Sequence, residues 1–206
     1  MNVEPLISII DDDEAFRNSL VLLVTSFGYR VASYKSANDF LAVYDHQIPG
    51  CLIIDVRMPE VNGLALQQSL AMRSLQPSII IMTAYAEVPV AVRAMHQGAV
   101  DFLQKTCPDT ELLAAIRRAV DRDQSNRVEH ARKVSVQERI SLLSPPEKEV
   151  LNLVLQGKAN KNIAAKLGVG PRTVEDRRAR IMTKLQVESV PELVSLAILA
   201  GFSVNK

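Results

Sequence analysis

Five side chains at the ends of apolar runs carry the chemistry this sequence could perform. The run Leu6 to Ile10 ends in Asp11 and Asp12, Cys51 to Ile54 ends in Asp55, Ser78 to Met82 ends in Thr83, and Ala99 to Leu103 is followed by Lys105. Three carboxylates brought to one point repel, since two unit charges about 4 Å apart cost roughly 4 kcal/mol at an effective dielectric of 20. A hard divalent cation resolves that repulsion: Mg2+ (or Mn2+) takes carboxylate, carbonyl and water oxygens and keeps positions for a phosphoryl oxygen. Given such an ion, a carboxylate can attack phosphorus and form an acyl phosphate. A hydroxyl such as that of Thr83 can donate to one phosphoryl oxygen while the Lys105 ammonium bonds another, stabilising charge as it develops. Taken singly, these residues have plainer uses. Asp11 to Asp13 could cap a following helix, Thr83 could end a strand, Lys105 could be an ordinary surface residue, and a lone Asp such as Asp55 is more often a turn residue. Their joint order at the ends of four runs favours the phosphoacceptor reading.

The elements that must bring these residues together are legible as alternating patterns. Strands are expected at Leu6 to Ile10, Tyr29 to Ser33, Cys51 to Ile54, Ser78 to Met82 and Ala99 to Leu103. Phe16, Leu20, Leu23, Val24 and Phe27 recur at helical spacing, with Gly28 as a stop, and similar helices fit 37–44, 64–75, 90–97 and 110–120. Five such βα units predict an α/β fold, a flavodoxin-like (βα)5 domain with a parallel five-stranded sheet. In that fold ligands bind outside the carboxyl ends of the strands, where the five residues stand. Residues 122–139 are polar and charged, without Gly or Pro, and read either as a helical continuation or as a disordered linker, with helix preferred. After a break at 141–146, helices are expected at 147–156, 160–167, 171–185 and 191–200, an all-α four-helix tail. The expected division is 1–121, a linker at 122–141, and 142–206.

Composition narrows the class. With 48% hydrophobic and 23% charged residues the chain is ordinarily globular, and no apolar run approaches the roughly 20 residues that span a bilayer. The acidic start, with Glu4 before a short apolar run, is wrong for a signal peptide, so a soluble cytoplasmic protein without membrane contact is expected. Cys51 and Cys107 have neither metal-like nor redox-like spacing and are expected to be reduced thiols. The net charge of +1 conceals an asymmetry. Residues 1–121 hold 9 Lys/Arg against 14 Asp/Glu, whereas the remainder holds 15 against 9, which favours a polyanion partner for the second part only.

Within that second part, 160–180 reads as helix, tight turn, helix. Ile163, Ala164 and Leu167 share a face, Gly168 turns the chain and Pro171 opens the second helix. Val174, Ile181 and Leu185 face inward there, leaving Arg172, Glu175, Asp176, Arg178, Ala179 and Arg180 on the surface that a recognition helix would present to a major groove. For Glu175 an intrahelical pair with Arg178 is the equal alternative.

Two resemblances follow from these motifs. Ile9-Ile10-Asp11-Asp12-Asp13, Ile54-Asp55-Val56-Arg57-Met58-Pro59, Met82-Thr83-Ala84 and Asp101-Phe102-Leu103-Gln104-Lys105 resemble the motifs of receiver domains. The resemblance implies that Asp55 is the phosphoacceptor, that Asp12, Asp55 and the backbone carbonyl of Arg57 hold Mg2+, and that Asp11 completes the acidic pocket. It implies that Thr83 and Phe102 are the switch pair, that Lys105 senses the phosphate, and that Arg57 and Tyr85 tune the acyl phosphate's lifetime. One departure is Thr106, where receivers usually carry a cis proline. A cis bond before a non-proline residue costs roughly 2.5 to 4 kcal/mol, so a trans bond and a displaced Lys105 stay open.

Leu143-Ser144-Pro145-Pro146-Glu147, Gly157-Lys158-Ala159-Asn160-Lys161-Asn162-Ile163-Ala164 and Pro171-Arg172-Thr173-Val174-Glu175 are similar to the LuxR-type helix-turn-helix, and with a receiver in front, to the FixJ/NarL type of two-component response regulator. Gly170 and Arg177 depart from it, standing where serine and histidine are usual. By position, Lys161, Thr173 and Arg178 would contact phosphates, while Glu175, Asp176 and Ala179 face base edges. The implied partners are a sensor histidine kinase, double-stranded DNA, RNA polymerase and, when phosphorylated, a second copy. Pairing is expected through Val90, Arg93 and Phe102, and through the last helix at Leu193 and Leu196, for which core packing is the equal alternative. Such a protein is not an enzyme beyond self-phosphorylation and autodephosphorylation at Asp55. A haloacid-type hydrolase is the rival from another class, but it carries a second Asp where this chain has Arg57. A regulator independent of phosphate is the other alternative, motivated by Thr106.

Overall fold

The computed structural model describes residues 4–201, so the expected outer limits at 1 and 206 lie outside the described residues. In chain order the elements are β1 (Leu6–Ile10), α1 (Glu14–Ser26), β2 (Arg30–Tyr34), α2 (Ala37–Val43), β3 (Gly50–Asp55), α3 (Gly63–Ala71), β4 (Ser78–Thr83), α4 (Val88–His96), β5 (Asp101–Gln104) and α5 (Asp109–Ser141). Then follow α6 (Pro145–Leu155), α7 (Asn160–Leu167), α8 (Pro171–Leu185) and α9 (Val190–Leu199). Two units emerge, Met1–Val128 and Glu129–Lys206.

In the first unit all strands are parallel, in the order β2-β1-β3-β4-β5. This is the flavodoxin-like order, with its switch point between β1 and β3. β3 and β4 are buried along their whole length, because helices cover both faces, and they therefore read as unbroken apolar runs. On one face Leu20 and Val24 of α1 and Leu112, Ala115, Ile116 and Ala119 of α5 pack on Ile7, Ile9, Ile53 and Ile80. On the other, Phe40 of α2, Leu66 and Leu70 of α3 and Ala94 of α4 pack on Ile10, Ile54 and Ile81.

Boundaries differ from expectation where side chains or turns close a helix. α3 stops at Ala71, four residues early, since the Gln76 side-chain amide donates to the Ala71 carbonyl at 2.8 Å and satisfies the helix end. β5 starts at Asp101 and not Ala99, because the Ala99 N–H turns back to the Ala94 carbonyl, 3.1 Å away, to close α4. β2 lies one residue later than expected. Across 122–139 the helical alternative is the one that forms, as part of α5.

The stretch of α5 beyond residue 121 is tied to the sheet's amino edge. Asp123, buried, accepts the Gly50 N–H at 2.9 Å and the Arg127 Nε–H at 2.6 Å. Arg127 also donates to the carbonyls of Gln47 and Ile48. Glycine is required at 50: φ is +145°, and a Cβ would stand 1.9 Å from the Leu6 carbonyl oxygen.

In the second unit, Val136 and Ile140 of α5 join Val150, Leu151, Ile163, Val174, Ile181, Leu185 and Leu193 in one core. Glu147 opens α6 by accepting the Ser144 N–H at 2.7 Å, and it pairs with Lys184 Nζ at 2.7 Å. These partners hold its carboxyl well below the usual range, at about 2. Gly168, at φ +65°, ends α7 in the left-handed conformation that turns the chain toward α8. Of the two residues expected to pair through the last helix, Leu193 is buried in this core and Leu196 is half-buried against it, while Val190 and Ile198 are exposed large apolar residues of α9.

Candidate functional site: a carboxylate pocket and a basic helix

Asp11 and Asp12 leave β1, Asp55 ends β3, Thr83 ends β4 and Lys105 follows β5, so adjacent parallel strands deliver all five to one rim. Local bonds fix the acidic loop. The Asp13 N–H donates to Asp11 Oδ1 at 3.0 Å, and Asp13 caps α1 by accepting the Phe16 N–H at 3.1 Å. Arg17, on the first turn of α1, donates from Nη1 to the Asp11 carbonyl at 2.7 Å. Oxygens of Asp11, Asp12 and Asp55 lie within 4.8 Å of one another; Asp11 and Asp55 are buried and Asp12 is exposed.

Lys105 is not displaced. No peptide bond among the described residues is cis, so the Lys105–Thr106 bond is trans, and Nζ still reaches Asp11 Oδ2 at 2.7 Å and Asp55 Oδ2 at 3.7 Å. The backbone explains this: the Lys105 N–H donates to the Thr83 carbonyl at 2.8 Å, extending the β4–β5 pairing past the strand end. Nζ also sits 4.5 Å from the centre of the Phe16 ring.

Asp55 is the perturbed member of the cluster. Burial raises its carboxyl to about 6; Lys105 opposes the rise, Asp11 adds to it, the Val56 N–H lowers it and Asp12 raises it slightly. Such a group resists holding charge alone, and it becomes a competent anion when a cation shares the pocket. The donor set, three carboxylates whose oxygens lie within 4.8 Å of one another, is hard oxygen and suits Mg2+ or Mn2+.

Around the rim, Thr83 is buried, and its hydroxyl accepts the Tyr85 N–H at 3.3 Å. Tyr85 is exposed, with the Arg57 guanidinium 4.8 Å from its ring centre. Arg57 Nη2 pairs with Glu87 Oε1 at 2.8 Å. Phe102 is half-buried against the core, Val90 also packs inward, and Arg93 is exposed. The outward apolar residues of α4 are instead Val88, Val92 and Met95. Sequence reasoning missed Glu87 and Gly63. Gly63 opens α3 directly against the acceptor, and a Cβ there would stand 2.1 Å from the Asp55 carbonyl oxygen. The Asn62-Gly63 pair after Pro59 was a turn signal that could have drawn attention to it.

In the second unit α8 buries Val174, Ile181 and Leu185 and exposes Arg172, Thr173, Glu175, Asp176, Ala179 and Arg180. Lys161 is exposed on the first turn of α7. Arg178 differs from its neighbours: it is half-buried and its Nη1 donates to Asn160 Oδ1, linking α8 to the start of α7 in place of an intrahelical pair with Glu175.

Comparison with known proteins agrees with both halves of this geometry. Residues 7–117 match the family described as response regulator receiver domain, and residues 141–197 match bacterial regulatory proteins, luxR family. The chain is 45% identical over 199 residues to transcriptional regulatory protein FixJ of Azorhizobium caulinodans, covering 95% of this chain and 92% of that one. The solved structure of response regulator StyR superposes with a TM-score of 0.76 at 35% identity, covering 95% and 98% of the two chains. Full-length FixJ from B. japonicum gives 0.56 at 39% identity, covering 98% and 100%. With an acidic pocket at the carboxyl rim of a parallel sheet and an exposed basic helix after a glycine turn, the chain belongs to the two-component response regulators that join a receiver domain to a LuxR-type DNA-binding domain.

Proposed function

We propose that a sensor histidine kinase transfers a phosphoryl group to Asp55, and that this promotes dimerisation and sequence-specific DNA binding. The observation that carries the proposal is Lys105 Nζ, held at 2.7 Å from Asp11 and 3.7 Å from Asp55 at the end of β3. In the transfer an Asp55 carboxylate oxygen bonds to phosphorus while the bond from phosphorus to the kinase imidazole nitrogen breaks, its electron pair staying on that nitrogen. Asp12, Asp55 and the Arg57 carbonyl would hold Mg2+, which when bound would neutralise charge on the phosphoryl oxygens. Asp11 completes the pocket, Lys105 bonds a phosphoryl oxygen, and Thr83 turns its hydroxyl from Tyr85 toward another.

That turn vacates space beside Phe102 and reshapes the α4–β5 surface, shifting an equilibrium that already exists. Val88, Val92 and Met95, with Arg93 and Val90 beside them, are the groups a second receiver would cover. Arg57, drawn to Tyr85 and Glu87 at the mouth, governs water's approach and hence the lifetime of the acyl phosphate. Beyond forming and hydrolysing that bond the protein has no enzymatic activity. The exposed face of α8 enters the major groove with Glu175, Asp176 and Ala179 toward base edges, while Lys161, Arg172, Thr173, Arg178 and Arg180 meet phosphates. Such a regulator works in the cytoplasm, where it meets DNA and RNA polymerase.

The test is the intact mass of wild type and Asp55→Asn after incubation with phosphoramidate and Mg2+, with sedimentation and DNA binding measured in parallel. One added phosphoryl group, dimerisation and tighter binding in the wild type alone are expected. Equal dimerisation by the variant, or a wild type that gains no phosphate, overturns the proposal.

A further inference from the structure

Lys105 needs an explanation that its carboxylate partners do not supply. The loop that carries it lacks the usual proline, and a lysine has four rotatable carbons through which to leave a site for water. Yet its side chain is only 13% exposed. Asp11 takes one of the ammonium's donor directions at 2.7 Å, and Asp55 is an ion-pair partner at 3.7 Å. The Phe16 ring covers another side, its centre 4.5 Å from Nζ. A ring face carries negative potential and attracts a cation most where water is excluded.

Phe16 itself is held in place. Its N–H is fixed by the Asp13 cap, within the same acidic loop that supplies Asp11 and Asp12. Its ring packs against the core beside Leu20 and Leu112. An element contiguous in sequence with the carboxylates thus reaches across to the residue that completes the pocket from β5, about ninety positions later. Phe16, Lys105 and Leu112 also line one cavity together with Cys107.

We infer that Phe16 is a positioning residue for phosphoryl transfer: its ring face holds the Lys105 ammonium between Asp11 and Asp55, ready for the incoming phosphoryl oxygen. This rests on the reading of Asp55 as phosphoacceptor. Without the ring, Lys105 exchanges into water and must be recovered in each transfer, so the rate falls while the nucleophile is untouched.

The experiment measures the phosphorylation rate with phosphoramidate and Mg2+, by intact mass, in full-length wild type, Phe16→Leu, Phe16→Tyr, Lys105→Met and the double variant Phe16→Leu/Lys105→Met. Phe16→Leu keeps the apolar volume and is expected to react roughly threefold to tenfold more slowly, in line with one partly desolvated cation–ring contact. Phe16→Tyr keeps the ring and is expected to retain the wild-type rate. In the Lys105→Met background Phe16→Leu is expected to change nothing, whereas a purely structural defect slows both backgrounds equally. Thermal unfolding of each variant identifies any that fail to fold, and should Phe16→Leu be one, Phe16→Met takes its place in both backgrounds with the same expectations. Equal slowing in both backgrounds, or Phe16→Leu reacting at the wild-type rate, overturns this inference and leaves the Asp55 reading standing. A wild type that gains no phosphate sinks both.

Discussion

Replacing Asp123 by alanine should cost the receiver unit about 3 kcal/mol, and the magnitude can be worked from its partners. The carboxylate is 2% exposed and accepts from two donors, the Gly50 N–H at 2.9 Å and Arg127 Nε at 2.6 Å. Removing it strands the Gly50 amide, a buried donor worth about 1 to 3 kcal/mol when unsatisfied. It also strips the Arg127 guanidinium of its counter-charge. Breaking a fully buried pair costs about 3 to 5 kcal/mol, but the Arg127 side chain is 22% exposed and keeps the carbonyls of Gln47 and Ile48, which cuts this contribution to about 1 to 2 kcal/mol and brings the sum to about 3. For a unit of this size that corresponds to a fall in Tm of roughly 10 °C. Hydrogen exchange on the full-length chain provides the local readout: peptides spanning Gly50 and the Asp123 turn of α5 should lose protection together. Arg127→Ala should add little to Asp123→Ala, because the two share one interaction. A loss of less than about 1 kcal/mol with Gly50 still protected would refute the idea that this carboxylate holds the amide.

Gly63→Ala should push a methyl group into the Asp55 carbonyl, 2.1 Å away; a displacement of about 1 Å there is expected to slow phosphorylation roughly a hundredfold, read by intact mass against time. For Asp55 without metal, the folded value of about 6 lies above the unfolded value of 3.8. The folded state therefore binds the proton more tightly, and its stability falls as pH rises from about 4 to about 6. Asp55→Asn should remove that slope and stabilise EDTA-treated protein above pH 6 by up to about 3 kcal/mol, checked by urea unfolding across pH; parallel curves would count against the burial. Arg178→Ala severs the tie to Asn160 and should weaken binding to all DNA sequences alike with a flatter salt dependence, measured by fluorescence anisotropy, whereas a sequence-selective loss would mean base readout.

Much of this protein was written locally. Apolar runs ending in Asp11, Asp12, Asp55 and Thr83 announced both the parallel sheet and the rim where those residues would meet, because strand burial on two faces demands continuous apolar stretches. The helix, glycine turn and helix of 160–185 were equally plain, since periodicity and a left-handed stop act within a few residues. The position of Lys105 could not be judged this way. Its chain neighbour Thr106 argued for displacement, and only the pairing of its backbone with Thr83, together with Asp11 and Phe16, which follow the non-adjacent strand β1, put it back in the pocket. Leu193 and Leu196 were ambiguous for the same reason: one apolar stripe serves a core or a partner equally well until packing decides. Gly50 with Asp123 and Arg57 with Glu87 stand 73 and 30 residues apart. Hydrophobic pattern is a property of neighbours along the chain, whereas a charged pair or a close approach is made between segments that folding alone brings together.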